Sequence, residues 1–227
     1  MESKHPTPPR APQHRPGPKG GTRDRNRVER TRNLCDAALA LFLTHGVDVP
    51  SVDQITRAAG VGKASFYSYF ADKQELVDTL LASLREQALG ALARCNGQLE
   101  TADSFGDLKL AHQQMVVALL PAFLDHVDVL RLVLQEARAP KRGARQPIRQ
   151  LYDDIVSEVV AINVTACRRK LIRPIQPRVS AYITLGAVER LGVGYLAGED
   201  LGDINEAIQS VLAVLLAGLR PVVSFDS

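Results

Sequence analysis

Apolar side chains recur at three- and four-residue spacing along most of this chain, and that period constrains the fold more than any other feature of the sequence. The first such segment runs from Arg27 to Gly46, and within it Leu34, Ala38 and Phe42 share one helical face. Strand-like alternation is scarce, and glycine or proline separates many of the periodic segments. The sequence therefore predicts an all-α fold.

Two short helices are predicted after the first one. Ser51 is a favourable N-cap for the second helix, and Gly60 is typical of the residue that ends it. A third helix of similar length is predicted to begin after Gly62 and to run to Phe70. Two short helices that are joined by a tight turn and pack on a preceding amphipathic helix are typical of a helix-turn-helix motif.

A fourth, longer helix is predicted to connect this motif to the rest of the chain. Asp72 is its expected N-cap, and Glu75 three residues later completes a capping box. Further helix-length segments are predicted at about 105–125, 127–138, 148–171, 178–198 and 203–219. The sequence thus predicts a helix-turn-helix domain over residues 27–75 and a larger helical domain over residues 76–227.

The N-terminal segment has a different composition. Residues 1–26 are rich in proline, glycine, lysine and arginine, so they are predicted to form a disordered basic arm. Residues 1–32 contain nine basic and three acidic residues, a net charge of +6 that leaves −3 for the remainder. Such a block fits contact with a polyanion such as DNA and fits a solvated tail equally well.

Several classes of protein are disfavoured by the sequence. The three cysteines lie far apart with no C-x-x-C pair, so neither a disulfide framework nor a zinc site is predicted. The longest apolar stretch, residues 211–219, is about half of the roughly 20 residues that a membrane helix needs. No nucleophile motif, histidine pair or phosphate-binding glycine loop is present. We therefore expect a soluble, cytoplasmic protein that is not an enzyme and needs no cofactor or metal.

The third helix carries a cluster of aromatic residues. Phe66 and Phe70 are four residues apart and are expected to face the core. The remaining faces carry a cation, a hydroxyl and two phenols, which are the groups that reach phosphate oxygens and base edges of DNA. These side chains belong to Lys63, Ser65, Tyr67 and Tyr69.

The order and spacing of residues over about 30–78 resemble the DNA-binding domain of TetR-family transcriptional regulators. The segments that carry the resemblance are Ala37–Phe42, Gly46, Ser51-Val52, Ile55, Ala58–Val61, Tyr67–Phe70 and Asp72–Leu76. The resemblance implies three N-terminal helices that bind DNA and a larger C-terminal helical domain that binds a small ligand and forms a homodimer. It also implies a repressor that binds a palindromic operator and is released by an effector, with an activator as the alternative.

The resemblance further implies which residues contact DNA. They are Ser51 at the start of the second helix, Gly62, Lys63, Ala64 and Ser65 at the start of the recognition helix, Tyr67 and Tyr69 beside it, and Lys73 on the fourth helix. Two positions depart from the usual pattern, since Thr56 replaces a common alanine and Gly62 stands where a small hydroxyl residue is frequent. The alternatives are that the tyrosines pack, that the lysines are solvated, and that the arm either is idle or enters a minor groove.

The C-terminal half offers weaker indications. The last two predicted helices have wide apolar faces that could form a dimer interface or an ordinary core, through Tyr182, Leu185, Val188, Tyr195, Ile208, Val211, Leu212 and Leu215. Possible effector-lining residues, each of which could instead be core packing, are His112, Met115, Phe123 and Tyr152. A helical ligand-binding or adaptor protein that does not bind DNA is the alternative function.

Overall fold

The computed structural model describes residues 22–221, and within that range the chain is helical with no strand. The helices are α1 (Thr22–His45), α2 (Val52–Ala58), α3 (Lys63–Phe66), α4 (Lys73–Leu99), α5 (Phe105–Asp125), α6 (Val127–Glu136), α7 (Gln146–Arg168), α8 (Pro177–Leu196) and α9 (Ile204–Leu219), with a 3-10 turn at Gly143–Arg145 before α7. The predicted all-α fold is confirmed. None of these helices is long and apolar enough to cross a lipid bilayer.

Helix α1 begins earlier than the sequence predicted. It starts at Thr22, so residues 22–26 belong to a helix and not to the predicted disordered arm. The last proline before this point is Pro18, and arginine, which has a high helix propensity, occupies several of the following positions. The first 21 residues of the predicted arm lie outside the described part of the chain.

Helix α2 is defined by its caps, as predicted. The Ser51 hydroxyl accepts a hydrogen bond from the amide of Gln54 at 3.3 Å, and the Gln54 side chain accepts one from the amide of Ser51 at 2.8 Å. This reciprocal capping box satisfies two backbone donors that a short helix leaves without intrahelical partners. Gly60 follows the helix with φ of +66°, a conformation that favours glycine.

Helix α3 is shorter than predicted, because it ends at Phe66 and not at Phe70. Beyond it the chain continues in tighter turns, in which the amide of Ser68 donates to the carbonyl of Ser65 and the amide of Tyr69 donates to that of Phe66. The Ser68 hydroxyl also donates to the carbonyl of Ala64 at 3.2 Å. Phe66 and Phe70 are nevertheless both buried, as predicted.

Helix α4 is the long connector that the sequence predicted. The Asp72 carboxylate caps it by accepting a hydrogen bond from the amide of Glu75 at 2.9 Å. The Glu75 carboxylate accepts from the amide of Ala71 at 2.5 Å, and not from that of Asp72, so the expected reciprocal box is displaced by one residue.

Two hydrophobic clusters form the interior. The first joins α1–α4 to α5–α7 and includes Leu34, Phe42, Val47, Ile55, Phe66, Phe70, Leu76, Ala122, Leu132, Ile148 and Leu151. The second lies further along α4 and includes Leu92, Cys95, Leu99, Leu108, Ile162, Leu171 and Ala181. Because the first cluster crosses the predicted domain boundary at residues 75 and 76, shared packing sets the position of the helix-turn-helix against the C-terminal half.

Candidate nucleic-acid interface

Helix α3 is anchored by one residue and exposes most of the others. The Phe66 side chain is fully buried, whereas Lys63 and Ala64 are exposed and Ser65 is half-buried. Tyr67 is 55% exposed, and its ring meets that of Phe66 edge-on with the centroids 5.4 Å apart. A helix of four residues is not stable alone, so the buried Phe66 holds this exposed surface in place.

The two tyrosines beside α3 have different environments. Tyr69 is half-buried and packs against the first hydrophobic cluster, whereas Tyr67 projects outward. Gly62 is the N-cap of α3, and a Cβ atom at this position would meet no atom within 4 Å. Its φ of −76° is accessible to any residue, so the backbone itself does not require glycine here.

Lys63 forms an ion pair within the motif. Its Nζ atom lies 2.9 Å from Oδ1 of Asp53, which belongs to the first turn of α2, and both side chains are more than half exposed. The hydrogen bond to Asp53 raises the pKa of Lys63, so its ammonium is charged while a neighbouring carboxylate offsets that charge. No local pattern predicts this pair, because it depends on the angle between α2 and α3.

Lys73 has a role that sequence reasoning did not find. Its Nζ atom donates to the carbonyl oxygens of Asp48 at 2.9 Å and Pro50 at 3.0 Å, in the turn between α1 and α2. Burial lowers the pKa of this half-buried lysine. An ammonium has three N–H donors, so only one of them remains for the predicted phosphate contact.

A buried carboxylate of the C-terminal half reaches the same turn, and sequence reasoning missed it as well. Glu136, the last residue of α6, is only 6% exposed and accepts a hydrogen bond from the amide of Val47 at 3.0 Å. Its other oxygen lies 2.5 Å from Nε of Arg145, which also pairs with Asp48. The bond to Glu136 raises the pKa of Arg145. Since Val47 and Glu136 are separated by 89 positions, no local signal could have predicted the contact.

The four predicted effector-lining residues lie in different surroundings. Met115 packs against the second hydrophobic cluster and Phe123 against the first. The Nδ1 atom of His112 lies 2.8 Å from the carbonyl oxygen of Leu108, and burial lowers the pKa of this histidine. Tyr152 is half-buried, with the Arg149 guanidinium over its ring.

A surface cleft of about 400 Å³ is lined by residues of α4 and α7 and by the N-cap of α4. These residues are Asp72, Gln74, Glu75, Asp78, Arg85, Gln146, Pro147 and Gln150. Among residues 22–221, no cluster of histidine, cysteine or acidic side chains could hold a metal ion.

The predicted dimer residues lie on α8 and α9, and these two helices bury little of their apolar surface. The buried residues of α8 are Ala181 and Gly194, and that of α9 is Leu216. Tyr182, Val188 and Tyr195 are exposed, Leu185 packs against the second cluster, and the α9 residues Ile208, Val211, Leu212 and Leu215 are half-buried. The prediction omitted Ile183 and Val214, which are also exposed on the same two helices.

Comparison with known proteins identifies relatives of the N-terminal region. Residues 34–80 match the model of the family described as bacterial regulatory proteins, tetR family. The transcriptional regulator BetI of Agrobacterium fabrum is 32% identical over 99 residues, which are 42% of this chain and 48% of BetI. The nicotine-responsive transcriptional repressor HdnoR of Paenarthrobacter nicotinovorans is 25% identical over 147 residues, 63% of this chain and 72% of HdnoR.

The fold is also found among solved structures. NalD, the secondary repressor of the MexAB-OprM multidrug efflux pump in Pseudomonas aeruginosa, superposes with a TM-score of 0.66 at 19% identity. The superposition covers 86% of this chain and 98% of NalD. The likeness therefore extends beyond the matched N-terminal region to the C-terminal helices.

Proposed function

The chain belongs to the TetR family of bacterial regulatory proteins, and from this premise we propose that it is a transcriptional regulator that binds double-stranded DNA. The observation that carries the proposal is the exposed surface of α3, which the buried Phe66 holds beside the capped start of α2. Polar and cationic side chains cluster on this surface, and such groups contact phosphates and base edges.

The proposed contacts divide between the two helices of the motif. Lys63, Ala64 and Ser65 enter the major groove at the start of α3, where Gly62 leaves space for the DNA backbone. Tyr67 and Tyr69 donate hydroxyl hydrogen bonds to flanking phosphates. From the neighbouring elements, phosphate also accepts from the Ser51 hydroxyl and from the remaining N–H donor of Lys73.

We further propose that the regulator is a homodimer. Helices α8 and α9 carry many apolar residues but bury few of them within one chain, and an apolar helical face of this kind is typically covered by another protein surface. Pairing with the same two helices of a second copy would form a four-helix interface. The two α3 helices would then reach half-sites about 34–36 Å apart on a palindromic operator.

The C-terminal half is the proposed effector domain. HdnoR is a nicotine-responsive repressor and NalD is a repressor, and this chain aligns with most of each of them. We infer that a small molecule binds among α5–α8 and releases a repressor from its operator. Because α4 runs from the motif through both hydrophobic clusters, a tilt of α4 would change the separation of the two α3 helices.

Gel retardation with DNA from upstream of the coding region tests the proposal. The protein is expected to retard a fragment of this DNA at low salt, with weaker retardation as the salt concentration rises. A double variant, Lys63→Ala with Ser65→Ala, should lose retardation while its circular dichroism stays helical. Failure of the wild-type protein to retard any genomic fragment at low salt would contradict DNA binding and favour a helical ligand-binding or adaptor protein.

A further inference from the structure

The turn between α1 and α2, residues 46–51, is held by groups from outside the helix-turn-helix. The amide of Val47 donates to the Glu136 carboxylate, and the Asp48 carboxylate pairs with Arg145. Glu136 ends α6 and Arg145 ends the 3-10 turn before α7. Two residues of the C-terminal half therefore bind the turn that precedes the first proposed DNA contact.

The carboxylate of Glu136 lies in close contact with this turn. Both of its carboxylate oxygens have partners, one being the amide of Val47 and the other the guanidinium of Arg145. A Cβ atom on Gly46 would lie 3.1 Å from Oε1 of Glu136, so the carboxylate packs directly against the backbone of the turn. A buried carboxylate that loses such partners is strongly disfavoured, and the turn therefore follows α6 if α6 moves.

The same turn determines where α2 begins. It ends at Ser51, whose side chain caps α2 and is a proposed phosphate contact. Lys73 of α4 donates to the backbone carbonyls of Asp48 and Pro50 in the turn. Glu136 accepts from the backbone amide of Val47, and Arg145 pairs with the carboxylate of Asp48. The turn is thus attached to α4 and, independently, to the α6–α7 region.

We propose that Glu136 and Arg145 are positioning residues for DNA binding, which hold residues 46–51 so that Ser51 and α2 meet the operator. This inference rests on the proposed function and adds to it a second connection between the two halves of the chain, separate from α4. Movement of the α6–α7 region would carry Glu136 and Arg145 with it. Because Val47 and Asp48 are bonded to these two residues, the turn would move too and shift Ser51 from the position in which it meets the operator.

Arg145→Gln tests this connection, with Arg149→Gln as the matched control. Arg149 lies four residues further on, bonds to the carbonyl of Ala137 and pairs with Asp153, so its contacts stay within the C-terminal half. In the full-length protein, amide hydrogen exchange of peptides covering residues 46–51 is expected to be faster in Arg145→Gln and unchanged in Arg149→Gln. Operator affinity should fall about tenfold in Arg145→Gln and stay unchanged in Arg149→Gln.

Equal exchange over residues 46–51 and equal operator affinity in the two variants would overturn the inference. The exchange measurement needs no DNA, so it tests the connection even if the wild-type protein binds no operator, an outcome that would contradict the proposed function alone. If Arg145→Gln fails to fold, Asp48→Asn replaces it, because that carboxylate is at the accessible end of the cluster. Faster exchange in Asp48→Asn supports the connection, and wild-type exchange overturns it.

Discussion

At the scale of single residues, the carboxylate of Asp53 offsets the positive charge of Lys63, a residue that we propose contacts DNA. The Asp53 carboxylate lies 2.9 Å from the Lys63 ammonium, and it would also repel an approaching phosphate. Both groups are exposed, so the pair itself contributes little to stability. Its main consequence is for binding, because Lys63 must leave Asp53 or share it when a phosphate arrives.

Asp53→Asn is therefore expected to bind operator more tightly, by about two- to fivefold. The logarithm of the binding constant should also fall more steeply with the logarithm of salt concentration, because the variant complex neutralises more phosphate charge. Fluorescence anisotropy titrations at several salt concentrations measure both quantities. The control is Asp128→Asn, which removes an exposed carboxylate paired with Arg131 on α6 and should change neither. Weaker binding by Asp53→Asn would show that the pair helps to orient Lys63.

Tyr67 provides a second test at this scale, because its ring and its hydroxyl can be separated. The ring packs edge-on against Phe66 while the side chain remains more than half exposed. Tyr67→Phe keeps the ring, so the thermal midpoint should be unchanged, while loss of a bond to phosphate should lower operator affinity about tenfold. If affinity is unchanged and Tyr67→Ala unfolds the domain, the ring is structural and the proposed phosphate contact is wrong.

His112 gives a pH dependence with a defined sign. Burial lowers its pKa in the folded state, so between that value and its ordinary pKa of about 6.5 the unfolded state binds more protons. Its contribution to stability is therefore present above pH 6.5 and is lost as the pH falls below it. In His112→Asn the side-chain amide replaces the ring nitrogen as a donor to the carbonyl of Leu108. The variant should show a smaller drop in thermal midpoint between pH 7 and pH 5 than the wild-type protein. An identical drop in both proteins would contradict this assignment.

At the scale of helices, a reciprocal capping box is present at the N-terminus of α2 and another at the N-terminus of α5. Ser104 and Asp107 cap α5 as Ser51 and Gln54 cap α2. Ser51→Ala and Ser104→Ala should each lower stability by about 1 kcal/mol, which corresponds to a thermal midpoint lower by about 2–4 °C for a chain of this size. Operator affinity should fall only in Ser51→Ala. An equal fall in both variants would mean that loss of stability, and not a phosphate contact, weakens binding.

The helices also show which features a sequence can predict. Caps such as Ser51 and Asp72 were predictable because their hydrogen bonds are local. The burial of Phe66 and Phe70 was predictable because the two residues are four positions apart on one helical face. The early end of α3 was not predictable, because the amides of Ser68 and Tyr69 donate to carbonyls three residues back, and the spacing of the apolar residues does not distinguish this pattern from an α-helix. The bonds of Lys73, Glu136 and Arg145 to residues 47–50 connect positions 23 to 97 apart, so they require knowledge of how the helices pack.

At the scale of the whole molecule, the two ends of the chain present surfaces of opposite character. The described N-terminal part of α1 is exposed and rich in arginine, whereas α8 and α9 expose apolar side chains. One surface fits a polyanion and the other fits a second apolar surface. Dimerisation would use the second surface to bring two copies of the first onto one DNA molecule, so loss of the interface should remove operator binding without loss of the fold.

Val188→Glu tests this arrangement, because Val188 is 43% exposed on α8 and a charge there would be buried in the proposed interface. Light scattering should give twice the 24.7 kDa chain mass for the wild-type protein and the single chain mass for the variant, with circular dichroism unchanged. The control is Val117→Glu on α5, where the side chain is 72% exposed and is not among the residues proposed for the interface. It should remain dimeric and retard operator DNA.

A monomer bound to one half-site makes about half of the contacts that the dimer makes. Monomeric Val188→Glu should therefore not retard DNA at concentrations that saturate the wild-type protein. A variant that stays dimeric would place the interface elsewhere, and a monomer that binds with wild-type affinity would show that a single copy is enough to recognise the operator.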